Sequence, residues 1–250
     1  MTTAMRVGIS LGAAALAVLL QSGAARADVA GDTALAKMDE AMNRAQTQYF
    51  EYEVTNQEPG KAERKLALVV RLKGEKRLAE FTAPADMKGT KVLILSPTEM
   101  YVYLPAFGKV RRIASNTTDQ GFMGMFFAPD DFQTRYGDKY TATIAPGSGT
   151  EMTLVATAKA GQSPPYAKIE FKVGKDRMLP TELKYFNASG QNVKTETRRL
   201  ITCQGKICTA TEQKMVDNVK GGAWTQMARK TWKVNEPMAD ELFTRRALEK

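Results

Sequence analysis

Few residues in this chain could do covalent chemistry. There is no histidine among its 250 residues, which removes the commonest general acid or base and the commonest metal ligand near neutral pH. Carboxylates stand together at Asp130-Asp131 and at Glu51 and Glu53. Neighbours one apart on a helix do not share a face, however, and the two glutamates alternate with apolar residues as on the solvent side of a strand. No group of residues has metal-ligand spacing. The expectation is therefore no catalytic residue, no metal and no cofactor, with an enzyme the weakest of the readings.

The two cysteines, Cys203 and Cys208, enclose Gln204-Gly205-Lys206-Ile207. A tight hairpin with Gly205 and Lys206 at its tip places Gln204 opposite Ile207 and Cys203 opposite Cys208. Opposed residues bring β-carbons to roughly 4.5–5.5 Å, near the separation a disulfide requires. A disulfide pinning the hairpin is expected. A redox pair fits less well, because the spacing is C-x-x-x-x-C and no helix follows.

The informative chemistry is apolar. Between Met100 and Phe132 a strand with Tyr101 and Tyr103 on one side and Met100, Val102 and Leu104 on the other turns through Pro105 to Gly108, then passes the paired Arg111 and Arg112. A polar loop follows from Ser115 to Gln120, and then come Phe122, Met123, Met125, Phe126 and Phe127, with Gly121 and Gly124 beside and within the run. Loops lie on the surface and are normally polar, so a loop this apolar must be covered. Its plainest reading is that it plugs the protein's own core. The functional reading adds that the plug is displaceable: the glycines allow a hinge, the methionines suit cargo of variable shape, and an acyl chain could replace the lost burial. Tyr101, Tyr103 and Leu104 would then be part of the lipid-binding wall. Arg111 or Arg112 could meet a head-group phosphate or carboxylate.

These residues need a frame, and the rest of the chain supplies strands. Leu35, Met38, Ala41, Met42 and Ala45 fall on one face of an opening helix that Asp32 or Thr33 can cap. After it, alternating runs separated by Gly, Pro and Asn turns give about a dozen strands. Short connections make neighbours antiparallel, since parallel pairs need crossovers of a dozen residues or more. Pro129 to Tyr136 reads as a short helix. A sheet of this size curls under its own twist. The expected fold is mostly β with few helices: a single curved antiparallel sheet forming an incomplete, half-open β-barrel, closed by the N-terminal helix and a short lid helix and loop.

The first residues address the compartment. Val7 to Leu20 is apolar apart from Gly and Ser, and Ala25-Arg26-Ala27 has the small-x-small pattern of a cleavage site. Residues 1–27 are read as a signal peptide and 28–250 as one domain, exported to the periplasm of a Gram-negative envelope. Removing residues 1–27 takes two arginines and no acid from a formal charge of +9, leaving +7 on 223 residues. That balance suits anionic lipid surfaces, acidic partners or plain solubility. Nucleic acid is not expected, because the basic residues are scattered and form no recognition motif.

The segment Tyr101-Val102-Tyr103-Leu104-Pro105-Ala106-Phe107-Gly108-Lys109-Val110-Arg111-Arg112-Ile113, followed by Gly121-Phe122-Met123-Gly124 and Asp130-Asp131-Phe132, resembles the LolA-like outer membrane lipoprotein-sorting protein family. That broad group includes the LolA carrier, the LolB receptor and the MucB/RseB stress sensors. Lys88-Gly89-Thr90 and Met178-Leu179-Pro180 extend the resemblance over most of the chain. It implies an incomplete barrel with an apolar cavity for the acyl chains of a lipoprotein or lipid. It also implies shuttling toward the outer membrane, alongside an inner-membrane exporter of the resistance-nodulation-division (RND) type and an outer-membrane acceptor. The expectation is a monomeric periplasmic carrier. The alternative is a lipid-sensing protein that regulates an envelope partner.

Overall fold

The computed structural model describes residues 29–96, 98–113, 123–132, 134–147 and 149–249. Residues 1–27, read above as a signal peptide, the polar loop Ser115 to Gln120, Gly121 and Phe122 lie outside them. One helix, α1 (Val29–Met42), precedes β1 (Thr47–Gln57), β2 (Arg64–Lys73), β3 (Lys76–Ala83), β4 (Lys91–Ser96), β5 (Glu99–Leu104) and β6 (Lys109–Ile113). After the apolar stretch come β7 (Tyr140–Ala145), β8 (Glu151–Ala158), β9 (Lys168–Gly174), β10 (Leu179–Phe186), β11 (Asn192–Gln204), β12 (Ile207–Asp217) and β13 (Ala223–Val234). No helix among the described residues is long and apolar enough to cross a membrane.

All thirteen strands form one antiparallel sheet in the order β6-β5-β4-β3-β2-β1-β13-β12-β11-β10-β9-β8-β7. It consists of two meanders joined where β1 pairs with β13, from Gln48 opposite Val234 to Gln57 opposite Trp224. This order puts β6 and β7, consecutive in the chain, on opposite edges of the sheet. The chain between them must therefore pass from one edge to the other, and its described part, from residue 123 onward, packs on the concave side. Its apolar character follows from that path.

Period-two alternation builds the concave face. Phe50, Tyr52 and Val54 of β1, Leu66 and Leu68 of β2, Phe81 of β3 and Met227 of β13 are buried in one cluster with Leu35 and Met38 of α1 and with Met125, Phe126, Phe127 and Tyr136 of the crossing chain. Each such side chain contributes roughly 1.5–3 kcal/mol by leaving water. The convex face has its own smaller cluster. Leu78 and Leu93 are covered there by Phe243 and Leu248, from two 3-10 turns at Asp240–Phe243 and Arg245–Glu249.

Three local expectations change. The chain is already helical at Val29, ahead of both expected caps: Thr33 Oγ1 donates to the Val29 carbonyl at 2.6 Å, and Asp32 Oδ1 accepts from the Ala142 N–H of β7 at 2.7 Å. Asp32 thus caps the sheet's edge rather than its own helix. The helix read from Pro129 to Tyr136 is a single 3-10 turn, Pro129–Phe132. Beyond it the chain is tied to other elements, Phe132 O accepting from Arg77 Nε at 3.2 Å and Thr134 O from Asn43 Nδ2 at 2.7 Å. The residues around Arg111 form a strand of their own, β6, in register with β5 from Leu104–Lys109 to Met100–Ile113.

The expected disulfide is present. Cys203 lies directly opposite Cys208 on β11 and β12, with S–S 2.07 Å, and Gly205 turns the hairpin at φ 60°.

Candidate functional site

A cavity of about 190 Å³ lies between the concave sheet and the crossing chain. Its apolar wall is the inward row of β1 to β4, including Phe50, Leu68, Val70, Leu72, Ala79 and Ile94. Met125, Pro129 and Phe132 close it from the crossing chain. A second space of about 150 Å³ adjoins it, shares Arg77, Ile94, Pro129, Phe132 and Thr134, and is rimmed by Glu75, Arg135, Asp138 and Lys139.

Buried polar contacts hold the covering segment in place. The Phe126 N–H donates to Thr225 Oγ1 at 2.8 Å, and that hydroxyl donates to Asn56 Oδ1. Asp131 Oδ2 accepts from the Ala128 N–H at 2.7 Å and from Lys194 Nζ at 2.9 Å, while its Oδ1 accepts from the Tyr166 hydroxyl at 2.7 Å. The Asp131 and Lys194 side chains are 0% and 8% exposed. Burial pushes the Asp131 carboxyl up, opposed by the Lys194 ammonium and its hydrogen bonds. Arg77 adds Phe132 O at 3.2 Å and Thr134 Oγ1 at 2.9 Å. Phe127 stacks on Phe132 with centroids 5.4 Å apart. A second inward ion pair sits on β11, where Arg198 Nε donates to Glu196 Oε1 at 2.6 Å and the Tyr185 hydroxyl to Glu196 Oε2 at 2.9 Å.

The residues singled out in the sequence are only partly brought together. Met125 lines the cavity, and Phe126 and Phe127 are buried beneath the crossing. Met123 packs partly against the same cluster and turns the chain, with Gly124, through two successive positive φ angles of 53° and 78°. Leu104 also faces this core. Tyr101 and Tyr103 do not: they point to the convex face and pack with Leu93 and Phe243, so they do not line the cavity as the expected wall requires. Alternation along β5 requires this once Val102 and Leu104 point inward.

The arginine pair splits in the same way. Arg111 stacks over the 62% exposed ring of Phe107 at 5.5 Å, and Arg112 Nη2 donates to Thr98 O at 2.9 Å. Neither lines the cavity. The cavity's charged residues, Arg77, Asp131 and Arg198, had not been singled out as binding groups. The available signal was period two: Arg77 is in step with Ala79 and Phe81, and Lys194, Glu196 and Arg198 are in step with one another.

A protein-family model described as an uncharacterized protein matches residues 73–250. A search of the curated proteins finds no match. Among solved structures, the chain is similar to a DUF1329 family protein from Desulfovibrio piger, with TM-score 0.80 and 24% identity over 88% of this chain and 98% of that one. It is similar to a putative outer membrane lipoprotein-sorting protein domain from Vibrio parahaemolyticus, with TM-score 0.76 and 21% identity over 88% and 100%. It is also similar to a LolA superfamily protein from Nitrosomonas europaea, with TM-score 0.72 and 18% identity over 87% and 98%. Identities this low speak for the fold. The chain belongs to the uncharacterized-protein family whose model spans residues 73–250, and its curved, half-open sheet is the LolA-like fold.

Proposed function

We propose that this protein is an exported periplasmic carrier that shields the acyl chains of a lipoprotein or lipid, without covalent chemistry. The observation that carries the reading is the cavity, an apolar concave wall with a Met125-Phe132 cover that is tied down by a few hydrogen bonds and one buried ion pair rather than by a sheet ladder. Each methylene buried there is worth about 0.8 kcal/mol, so a long chain could replace the contacts the cover gives up. The leader-like first residues and the Cys203–Cys208 disulfide suit an oxidising compartment. Two of the similar structures bear the names of a lipoprotein-sorting domain and a LolA superfamily protein, in keeping with a carrier.

The test is occupancy of the cavity. Ala79 lines it from β3, and Ala79→Phe should fill it. The variant is expected to bind a fluorescent acyl probe at least tenfold more weakly while its melting temperature stays within a few degrees of wild type. Undiminished probe binding by a folded Ala79→Phe protein would sink the reading. Mass spectrometry of lipids extracted from protein purified from the periplasm would identify the cargo.

A further inference from the structure

Three charged side chains line the cavity, and two of them are closed pairs. Asp131 is matched by Lys194, and Arg198 by Glu196. Arg77 is different. Glu75 gives its carboxylate to Arg135 at 3.0 Å and offers Arg77 only its backbone carbonyl, also at 3.0 Å. The other two acceptors, Phe132 O and Thr134 Oγ1, are neutral as well. Three of the five guanidinium N–H groups are thereby used, two remain, and no carboxylate among the described residues forms an ion pair with Arg77. Burial pushes the pKa of this guanidinium down, and the Glu75 carboxylate and Tyr136 nearby offset that only in part.

A second cation on the same face is also open. Arg229, opposite the cavity-lining Tyr52 in the β1–β13 ladder, donates Nη2 to the hydroxyls of Thr202 and Thr211 and lies over Trp232 at 4.6 Å. Its Nη1 is buried with no partner. A concave face that pairs its acids internally and leaves two half-buried guanidiniums without a carboxylate in contact is complementary to an anion, because a partly desolvated charge gains from a counter-charge placed directly on it.

We propose that the cavity takes an anionic amphiphile, its acyl chain against Phe50, Val70 and Ile94 and its carboxylate or phosphate on Arg77. This deepens the carrier reading and rests on it. A free fatty acid and a phospholipid share this chemistry, and the experiment separates them.

Delipidated protein would be titrated with oleate, with oleoyl lyso-phosphatidylglycerol and with monoolein, which carries the same chain without charge, each displacing a neutral fluorescent alkane probe. At least one anionic ligand is expected to bind tenfold or more tighter than monoolein. Preference for oleate marks a fatty acid as the source, and preference for the lysolipid marks a phospholipid. In Arg77→Gln the advantage should shrink below threefold with monoolein binding unchanged. Arg77→Met, which keeps the stem's packing and drops the charge, is read in the same way where the glutamine variant fails to fold. Arg77→Lys should hold most of the advantage. Monoolein binding as tightly as both anionic ligands, or a charge-free variant that keeps the tenfold advantage, overturns the inference and leaves the carrier standing. Failure of all three ligands to displace the probe overturns both.

Discussion

Asp39 sits on α1 with its carboxylate turned toward the chain that leads into β7. Its Oδ2 accepts from the Gly137 N–H at 2.8 Å, and its Oδ1 is buried without a partner. Burial raises its pKa from 3.8 to about 6, against the pull of the Gly137 and Tyr136 N–H groups. A carboxyl raised in the folded state makes folding favour the protonated form. Its contribution to stability is therefore largest near and below pH 4 and is lost as pH rises from there through about 6. Asp39→Asn should raise the melting temperature at pH 7.5, leave it nearly unchanged at pH 3.5, and flatten the slope between. Melts of both proteins across that range check this; parallel curves with no convergence at low pH would contradict it. Arg77 illustrates the same physics at a permanently charged group. Burial cannot neutralise an arginine under ordinary conditions, so the part of its cost that the nearby Glu75 carboxylate does not offset remains.

At the scale of elements, α1 and the edge strand β7 are fitted backbone to backbone. A Cβ at Gly31 would stand 2.1 Å from the Ala142 carbonyl oxygen and 2.6 Å from the Thr143 Cα. Only glycine permits that approach, and it is what lets Asp32 reach the free N–H of Ala142 and close the edge. Gly31→Ala should lift the helix at a cost of about 1–3 kcal/mol, measured by denaturant unfolding, and should speed hydrogen exchange at Ala142; an unchanged Ala142 exchange rate would refute the edge-capping role. The apolar face of this helix was legible in Leu35, Met38 and Ala41. The partner of Asp32 was not, because a carboxylate before a helical run looks the same whether it caps that helix or a strand 110 residues away. The two faces of β5 were legible by alternation, but which face was concave was not. Both rows are apolar, because the C-terminal turns bring Phe243 and Leu248 to cover Tyr101 and Tyr103 on the outside. The short, charged β6 gave no apolar alternation to read, and its place depends on its register with β5.

The whole molecule depends on one seam. Two meanders that are each contiguous in sequence share a sheet only through the β1–β13 ladder, and the β6–β7 crossing adds a second tie over the concave face. The sequence showed an anomalously apolar loop but not why it was apolar, since that depends on β6 and β7 being opposite edges, which is a property of strand order. If the seam and the shared core bind both halves, the protein should unfold in one step rather than meander by meander. The chain's two tryptophans, Trp224 and Trp232, both lie on β13 at the seam. Their fluorescence should therefore follow the same denaturant transition as the far-ultraviolet circular dichroism of the entire sheet, with coincident midpoints. A fluorescence change that precedes the loss of β signal would mean that the seam opens first and that the halves hold their structure apart. The crossing would then be a tether between two separately stable sheets, and a cover displaced by cargo could no longer be described as opening a single rigid wall.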